Sequence, residues 1–418
     1  MGRQPRCDER ALQRLADPLR LMRLRGPRAT AVALTLPLLA FIAASFVAPL
    51  GTLLSKSAYE PNVANILPRT LAALDGWSGD GPPAEAAFAA IAEELPKARQ
   101  ERTLVRVAGP VNRLKSGMRR VLTRTARQVE TTEFAGSWRE ALIGINPAWE
   151  EPDTWLAIQA AGTRFTLRHY LQALDLERRP DGSIGLQPEE SRIYMPLLWR
   201  TLLVSLGVTL LCLAIGYPIA HLIATSPPKR SNLLLLMVLV PFWTSLLVRT
   251  TAWIVLLQRQ GVINSLLVAL GLTPDSERLE MIYNMTGTFT AMTHVLLPFM
   301  VLPLYSVMRS IPPTHMAAAA SLGANPVQGF IRVYLPQTLP GIGAGGLLVF
   351  ILAIGYYITP ALVGGRSGQL ISNMIAYHVQ TSLNWGLAAA LSSILLVAVL
   401  GLYLIYSRLI GIDRMRLG

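Results

Sequence analysis

The stretch AAAASLGANPVQGFIRVYLPQTLPG, Ala317–Gly341, lies between two long apolar runs and is unlike either. Pro326, Pro336 and Pro340 make it too broken for a membrane span, and it is too rich in Ala and Gly for an ordinary solvated loop. Gly323 suits the left-handed end of a helix. Asn325 followed by Pro326 reads as an N-cap with proline at the first helical position. Val327–Leu335 then predicts a short helix, ended by Pro336, with Phe330, Ile331 and Tyr334 on an apolar and aromatic face. The expected element is helix, tight turn, helix, and the small side chains of Ala317–Ala320 let another backbone come close.

The flanks set the class. The chain has 418 residues, of which 52% are hydrophobic and only 15% charged, with a mean hydropathy of +0.40. A soluble domain carries about a quarter charged residues. Apolar runs at Thr30–Leu54, Leu197–Ile223, Leu233–Leu257, Met285–Val307, Ile342–Val363 and Gly386–Tyr406 are each long enough to cross a bilayer. Prolines 37, 218, 241, 298, 303 and 360 within them are tolerated where neighbouring helices satisfy the freed carbonyls. The first run is too long for a cleavable signal and reads as a retained anchor. The expected fold is an all-α membrane protein with six transmembrane helices.

Charge gives the orientation. The tail before Ala29 holds eight Arg and three acids, whereas Ser55–Met195 holds 18 Lys/Arg and 18 Asp/Glu. Further positive charge sits at Lys229, Arg230, Arg309, Arg332 and the C-terminus, the pattern of cytoplasmic membrane faces and not of a nucleic-acid groove. Both termini are therefore expected in the cytoplasm, with Ser226–Asn232 and the opening stretch, while Gln258–Asn284 lies outside. The organisation that follows is a basic cytoplasmic tail (1–29), a first span (30–54), an external, mostly helical insert (55–195), a five-helix core (196–408) with a cytoplasmic loop at 311–341, and a cytoplasmic C-terminus (409–418). In the insert, residues 84–107 and 111–134 read as two amphipathic helices. A structural cap and a docking surface for a soluble partner both remain open as its role.

Enzymatic signatures are absent. None of the four lysines (Lys56, Lys97, Lys115, Lys229) follows a glycine, so there is no phosphate-cradling G-x-x-x-x-G-K-[ST] loop. His169, His221, His294, His315 and His378 show no metal-ligand spacing, and neither does Cys7 or Cys212, which are expected as free thiols. Inside the spans, ionisable and aromatic groups are the functional candidates. Arg249 reads either as a snorkelling or paired arginine or as lining of a pathway. Trp243, Thr244 and Ser245, and the Tyr356–Tyr357 pair, are candidates for the same pathway, where aromatic faces can hold an organic cation. Trp243 also reads as an interfacial anchor, His294 as a satisfied core histidine, and Asn373 and Asn384 as loop residues. No Asp or Glu lies in any span.

The opening stretch resembles the cytoplasmic loop of binding-protein-dependent ABC importer permeases, E-A-A with Gly four positions on and a later I-x-L-P. Ala318, Ala319, Gly323, Leu335 and Pro336 match it, while Ala317 stands for the Glu and Val333 for the Ile. RTLLVSLGVTLLCLAIGYPIAHLIA (200–224), PFWTSLLVRTTAWIVLLQRQGVINSLL (241–267), ITPALVGG (358–365) and FTLRHYLQALD (165–175) are similar to permeases of the spermidine/putrescine importer group. The resemblance runs from Phe165 to about Leu409 and includes the first span; residues 79–155 lie outside it.

It implies an inner-membrane transport subunit, not an enzyme, for polyamines. Another small solute (an amino-acid derivative, opine or iron complex) and an ion-coupled carrier are the alternatives. It implies ABC ATPase subunits that bind the ATP and Mg, with no cofactor in this chain, a second permease, similar or identical, a periplasmic solute-binding protein and surrounding lipid. In the family the loop docks into the ATPase, so Ala318, Ala319, Gly323, Asn325, Pro326, Phe330, Arg332, Leu335 and Pro336 become the ATPase-coupling residues. Without the Glu, docking is expected to rest on shape and on Arg332.

Overall fold

The structure, a computed structural model, describes residues 27–131, 136–178 and 183–410. Most of the basic tail, with Cys7, and the C-terminal residues 411–418 lie outside the described residues. The first unit ends at Ser55, and its described part is one helix, α1. It runs from Pro27 to Ile42, widens to a π turn at Ala43–Val47 and continues over Ala48–Ser55. Its apolar length Leu34–Ser55 suffices for a crossing.

The second unit begins with the insert: α2 (Asn62–Ile66), α3 (Pro68–Ala73), α4 (Glu85–Gln100), α5 (Leu104–Leu114), α6 (Met118–Thr131), α7 (Trp138–Ile145) and α8 (Pro152–Ala161). These short helices close around a core of their own. Phe88 of α4 stands edge-on to Trp155 at 4.6 Å, and Trp155 packs on Trp149 at 5.2 Å. Both buried indoles find acceptors, Trp149 in Thr125 Oγ1 and Trp155 in the Trp149 carbonyl, each at 2.9 Å, as burial of an N–H requires. Buried Glu94 accepts from Arg69 N, Thr70 N and Thr70 Oγ1, which satisfies the orphan donors at the start of α3.

The two predicted amphipathic helices are divided differently. The chain breaks at Glu101–Thr103, where Arg102 is left-handed (φ 59°), and at Lys115–Gly117, where Gly117 has φ 89°. The second predicted helix ends at Thr131, and its last residues, 132–134, lie outside the described residues. Periodicity revealed the buried faces but not where a left-handed residue turns the chain back.

Beyond α9 (Arg168–Ala173) and an antiparallel hairpin of β1 (Leu176–Arg178) and β2 (Ile184–Leu186) comes the bundle. Its helices are α10 (Tyr194–Thr225), α11 (Pro228–Leu239), α12 (Leu246–Leu257), α13 (Val262–Ala269), α14 (Met285–Ser310), α15 (Thr314–Ser321), α16 (Pro326–Gly329), α17 (Leu335–Gly355), α18 (Ile358–Val363), α19 (Ile371–Gln380) and α20 (Trp385–Ile410). Cys212, Leu296, Met300, Leu304, Val349 and Ala353 form the centre, where α10, α14 and α17 meet. Gly341 and Gly345, four apart on α17, let it approach the α14 backbone: a Cβ at Gly345 would lie 3.1 Å from the Met300 carbonyl oxygen, and one at Gly341 3.2 Å from Leu304 Cα. Small residues serve membrane helices in this way because lipid offers no hydrophobic drive to association.

Six helical stretches are long and apolar enough to cross a membrane, as expected, but two have other limits. Leu233–Leu257 is not one helix. α11 tightens to a 3₁₀ turn at Val240–Trp243, Thr244 and Ser245 are extended, and α12 starts afresh, because Pro241 has no N–H to continue the ladder. Pro336, in turn, does not stop the loop helix. Phe330–Tyr334 is wound as a π turn leading directly into α17, and this wider winding accommodates the proline. The fifth stretch therefore runs Pro326–Gly355, not Ile342–Val363. It ends where Tyr356 turns extended (ψ 124°) and α19 takes the freed carbonyls: Ser372 Oγ donates to Tyr356 O at 2.6 Å and Asn373 Nδ2 to Tyr357 O at 2.8 Å. Asn373 is thus a clamp on a broken helix, not a plain loop residue.

Candidate functional site

The element anticipated at Ala317–Leu335 is present, with its caps. α15 closes in a paired turn in which Ala324 N donates to Ala319 O and Gly323 N to Ala320 O, both at 3.0 Å, with Gly323 at φ 83°. α16 opens with a capping box. Asn325 Oδ1 accepts from Gln328 N at 2.8 Å, Gln328 Oε1 accepts from Asn325 N at 3.3 Å, and Pro326 takes the first turn. Gly329 lies under Met316, whose Cε would be 3.0 Å from a Cβ there, so the two arms fold closely together.

The named residues fall on two sides of this element. Ala318, Gly323, Asn325, Pro326, Arg332 and Pro336 are exposed. Ala319 is buried, and Phe330 and Leu335 are half-buried. Around the exposed group, Leu322 is 89% and Val327 65% exposed, an apolar tip that the described residues leave uncovered.

The inner side packs on the end of α10. Tyr334 stands edge-on to His221 at 5.1 Å, Phe330 meets Tyr217 at 6.1 Å and His221 at 6.0 Å, and Phe330 stacks with Tyr334 at 5.8 Å. Tyr217 Oη lies 3.1 Å from Thr338 Oγ1. Arg309, in the last turn of α14, donates to the Ala224 carbonyl at 3.1 Å and so holds the C-terminal end of α10. Tyr217 and His221 were not singled out from sequence. The signal was there as two aromatic pairs four residues apart, 217/221 and 330/334, which face one another across two helices.

In the bundle, Arg249 of α12 lies close enough to Tyr356 and His294 to interact with them electrostatically, and its buried Nε has no hydrogen-bond partner among the described residues. His294 Nδ1 accepts from Trp253 Nε1 at 3.1 Å. Trp243 is 74% exposed, and Thr244 Oγ1 donates to the Pro241 carbonyl at 2.8 Å. Tyr357 is partly exposed beside the helix break. The predicted pathway residues thus occur at two broken helices, with Arg249 and Tyr356 brought together and Trp243 on the open surface.

At the other end of α10, Asp175 receives three N–H groups: Ile193 N at 3.2 Å and Tyr194 N at 3.1 Å on Oδ1, and Met195 N at 2.7 Å on Oδ2. A carboxylate is favoured there because it meets the unsatisfied donors and the positive end of the helix dipole. Close by, Glu60 binds Arg113 of α5 at 2.7 Å, and Arg168 and His169 of α9 at 3.4 Å each. Burial alone would raise the Glu60 carboxyl, but the His169 hydrogen bond and the Arg113 and Arg168 charges outweigh it and hold it below its ordinary value. α9 in turn rests on α20: Tyr170 Oη lies 3.0 Å from Ser393 Oγ, and a Cβ at Gly386 would collide with the His169 ring. The insert is therefore tied to the bundle at the end of α10 opposite the aromatic cluster. At about 1.5 Å per residue, the 32 residues of α10 separate the two sites by more than the roughly 30 Å of a hydrocarbon core.

A polytopic all-α inner-membrane protein, with a capped and exposed element at one end of a small-residue-packed bundle, is the class that fold and site define. The chain belongs to the binding-protein-dependent transport system inner membrane components, the family whose profile matches residues 213–412. It is 37% identical over 216 residues to the spermidine/putrescine transport system permease protein PotB of Haemophilus influenzae, covering 52% of this chain and 75% of that one. It is 36% identical over 241 residues to the PotB of Escherichia coli K12, covering 58% and 81%. Among solved structures, a bacterial alginate ABC transporter in complex with alginate pentasaccharide-bound periplasmic protein has 19% identity and a TM-score of 0.41, over 52% of this chain and 78% of that chain. The insert lies ahead of the family match.

Proposed function

We propose that this chain is the subunit through which polyamines cross the inner membrane in an ABC importer. A periplasmic binding protein delivers the solute, a second permease completes the pathway, and separate ATPase subunits hold ATP and Mg. The observation that carries this reading is the exposed element around Gly323, backed by the aromatic cluster of Tyr217, His221, Phe330 and Tyr334. Its uncovered side offers Leu322, Val327 and Arg332 to an ATPase, and its packed side passes any displacement to α10. A rigid shift of the loop then moves a helix that spans the bundle, which is the two-state linkage that alternating access requires. The likeness to spermidine/putrescine permeases supports the solute class. With no acid in the spans, aromatic faces and carbonyls at the breaks by Tyr356 and Thr244 carry the cation, together with groups of the second permease. The test is ATP-dependent uptake of labelled putrescine and spermidine by the assembled transporter. Loss of both on deletion of this chain is expected.

A second reading, an importer of an amino-acid derivative, is favoured by Arg249, whose buried Nε is unpartnered and suits a carboxylate. It is distinguished by competition, since such a solute and not spermidine then blocks uptake.

A further inference from the structure

Between α5 and α6 the insert carries a groove of about 1000 Å³ lined by Asn112, Arg119, Arg120, Thr123, Arg124 and Arg127 among others. A second cleft of about 320 Å³ continues it past Arg119 and Thr123 to Arg99, Arg102 and Val105. No Asp or Glu lines either one, although residues 55–195 hold as many acids as bases. Burial accounts for half of α6: Met118, Val121, Leu122, Thr125 and Ala126 turn inward. Nothing in that packing requires the outer half to set Arg119, Arg120, Arg124 and Arg127 against a single acid, Glu130, and a solvated face ordinarily mixes signs more evenly. Arg102, Arg119 and Arg120 enter no ion pair among the described residues, whereas Arg99 bridges Glu130 and Arg124 donates to Gln128.

Clustered guanidiniums repel one another, and carboxylates that bind them in forked pairs relieve the repulsion. A lipid surface is met by a helix that sets an exposed apolar face beside its cations. On α6 the apolar residues Met118, Val121, Leu122 and Ala126 are buried, and the exposed face presents Arg119, Arg120, Thr123, Arg124 and Arg127 with no apolar residue beside them, which favours an acidic polypeptide face.

The groove also adjoins the joint to the bundle. Asn112 Oδ1 accepts from Arg119 N at 3.1 Å, and the next residue, Arg113, holds Glu60.

We propose that this arginine groove docks an acidic face of the solute-binding protein. The proposal rests on the reading of the chain as a binding-protein-dependent permease.

The test places the assembled transporter in phosphatidylcholine nanodiscs and titrates it with the solute-loaded binding protein that stimulates its ATP hydrolysis. The expected Kd weakens with added salt, and by about tenfold in the Arg119→Glu/Arg120→Glu/Arg124→Glu variant, since like charges are then opposed. The corresponding triple Gln variant is expected between the two, with an unfolding midpoint matching the parent. An unchanged Kd in the charge-reversed variant overturns the groove and leaves the permease reading standing. If no binding protein stimulates the parent transporter, both readings fall. Loss of binding to phosphatidylglycerol vesicles with the Kd unchanged assigns the groove to headgroups and overturns the proposal.

Discussion

Tyr334 meets His221 with ring planes at 82°, and through this contact the exposed loop and the long helix α10 are packed as one body. Tyr334 closes the π turn that follows α16, whereas His221 sits one turn from the end of α10. The pair therefore joins the loop to the end of a helix long enough to cross a membrane.

Tyr334→Ala removes two ring contacts, to His221 and to Phe330, each worth about 0.5–1.5 kcal/mol beyond burial. Faster amide exchange over residues 314–334 is expected, with ATP hydrolysis continuing while uptake falls severalfold. Retained coupling of hydrolysis to uptake removes the aromatic cluster from the transmission path.

Gly323 has φ 83° and open space around the position of a Cβ, so a substitution there meets backbone strain and no clash. For a residue with a side chain that strain is roughly 1–2 kcal/mol. Gly323→Asp is expected to reach the membrane in normal amount, by immunoblot of the membrane fraction, and to abolish uptake. Parental uptake in this variant argues against the turn as a lever.

Gly345→Ala places a methyl within 3.1 Å of the Met300 carbonyl oxygen and 3.4 Å of its Cα. Overpacking of this kind costs about 1–3 kcal/mol. A lower unfolding midpoint of the solubilised protein is expected, and an unchanged midpoint means that α14 and α17 have room to separate.

Glu60 gives a pH dependence whose sign is set. Its carboxyl is held below the ordinary 4.5 despite burial, which opposes ionisation, because His169, Arg113 and Arg168 favour the charged form. A folded-state value below the unfolded one adds stability that is complete above about pH 4.5 and disappears as pH falls through the lower value. Thermal melts on acidification should lose this increment in the parent and not in Glu60→Gln, which is the less stable protein at pH 7. Parallel melting curves throughout would show that the joint contributes nothing.

Much of the fold was legible because its causes are local. Apolar runs of bilayer length, Gly323 at a helix end and Asn325–Pro326 at a helix start each act within a few residues, and all three appear in the structure. Pro336 misled for the same reason. A local rule stops the helix there, whereas the π turn before it and the packing of Gly341 and Gly345 on α14 carry the helix through.

By itself, then, the sequence determined the helical class, the six apolar stretches of bilayer length and the caps of the element at Ala317–Leu335. These follow from composition, dihedral preference and the length of chain needed to cross hydrocarbon. Tertiary structure alone decided that Tyr217 and His221 back the loop, that Asn373 clamps the break at Tyr357, that Asp175 caps α10 and that Glu60 joins the insert to α9. Each of these pairs residues distant in the chain whose meeting depends on how helices pack, and no local propensity records which faces will touch.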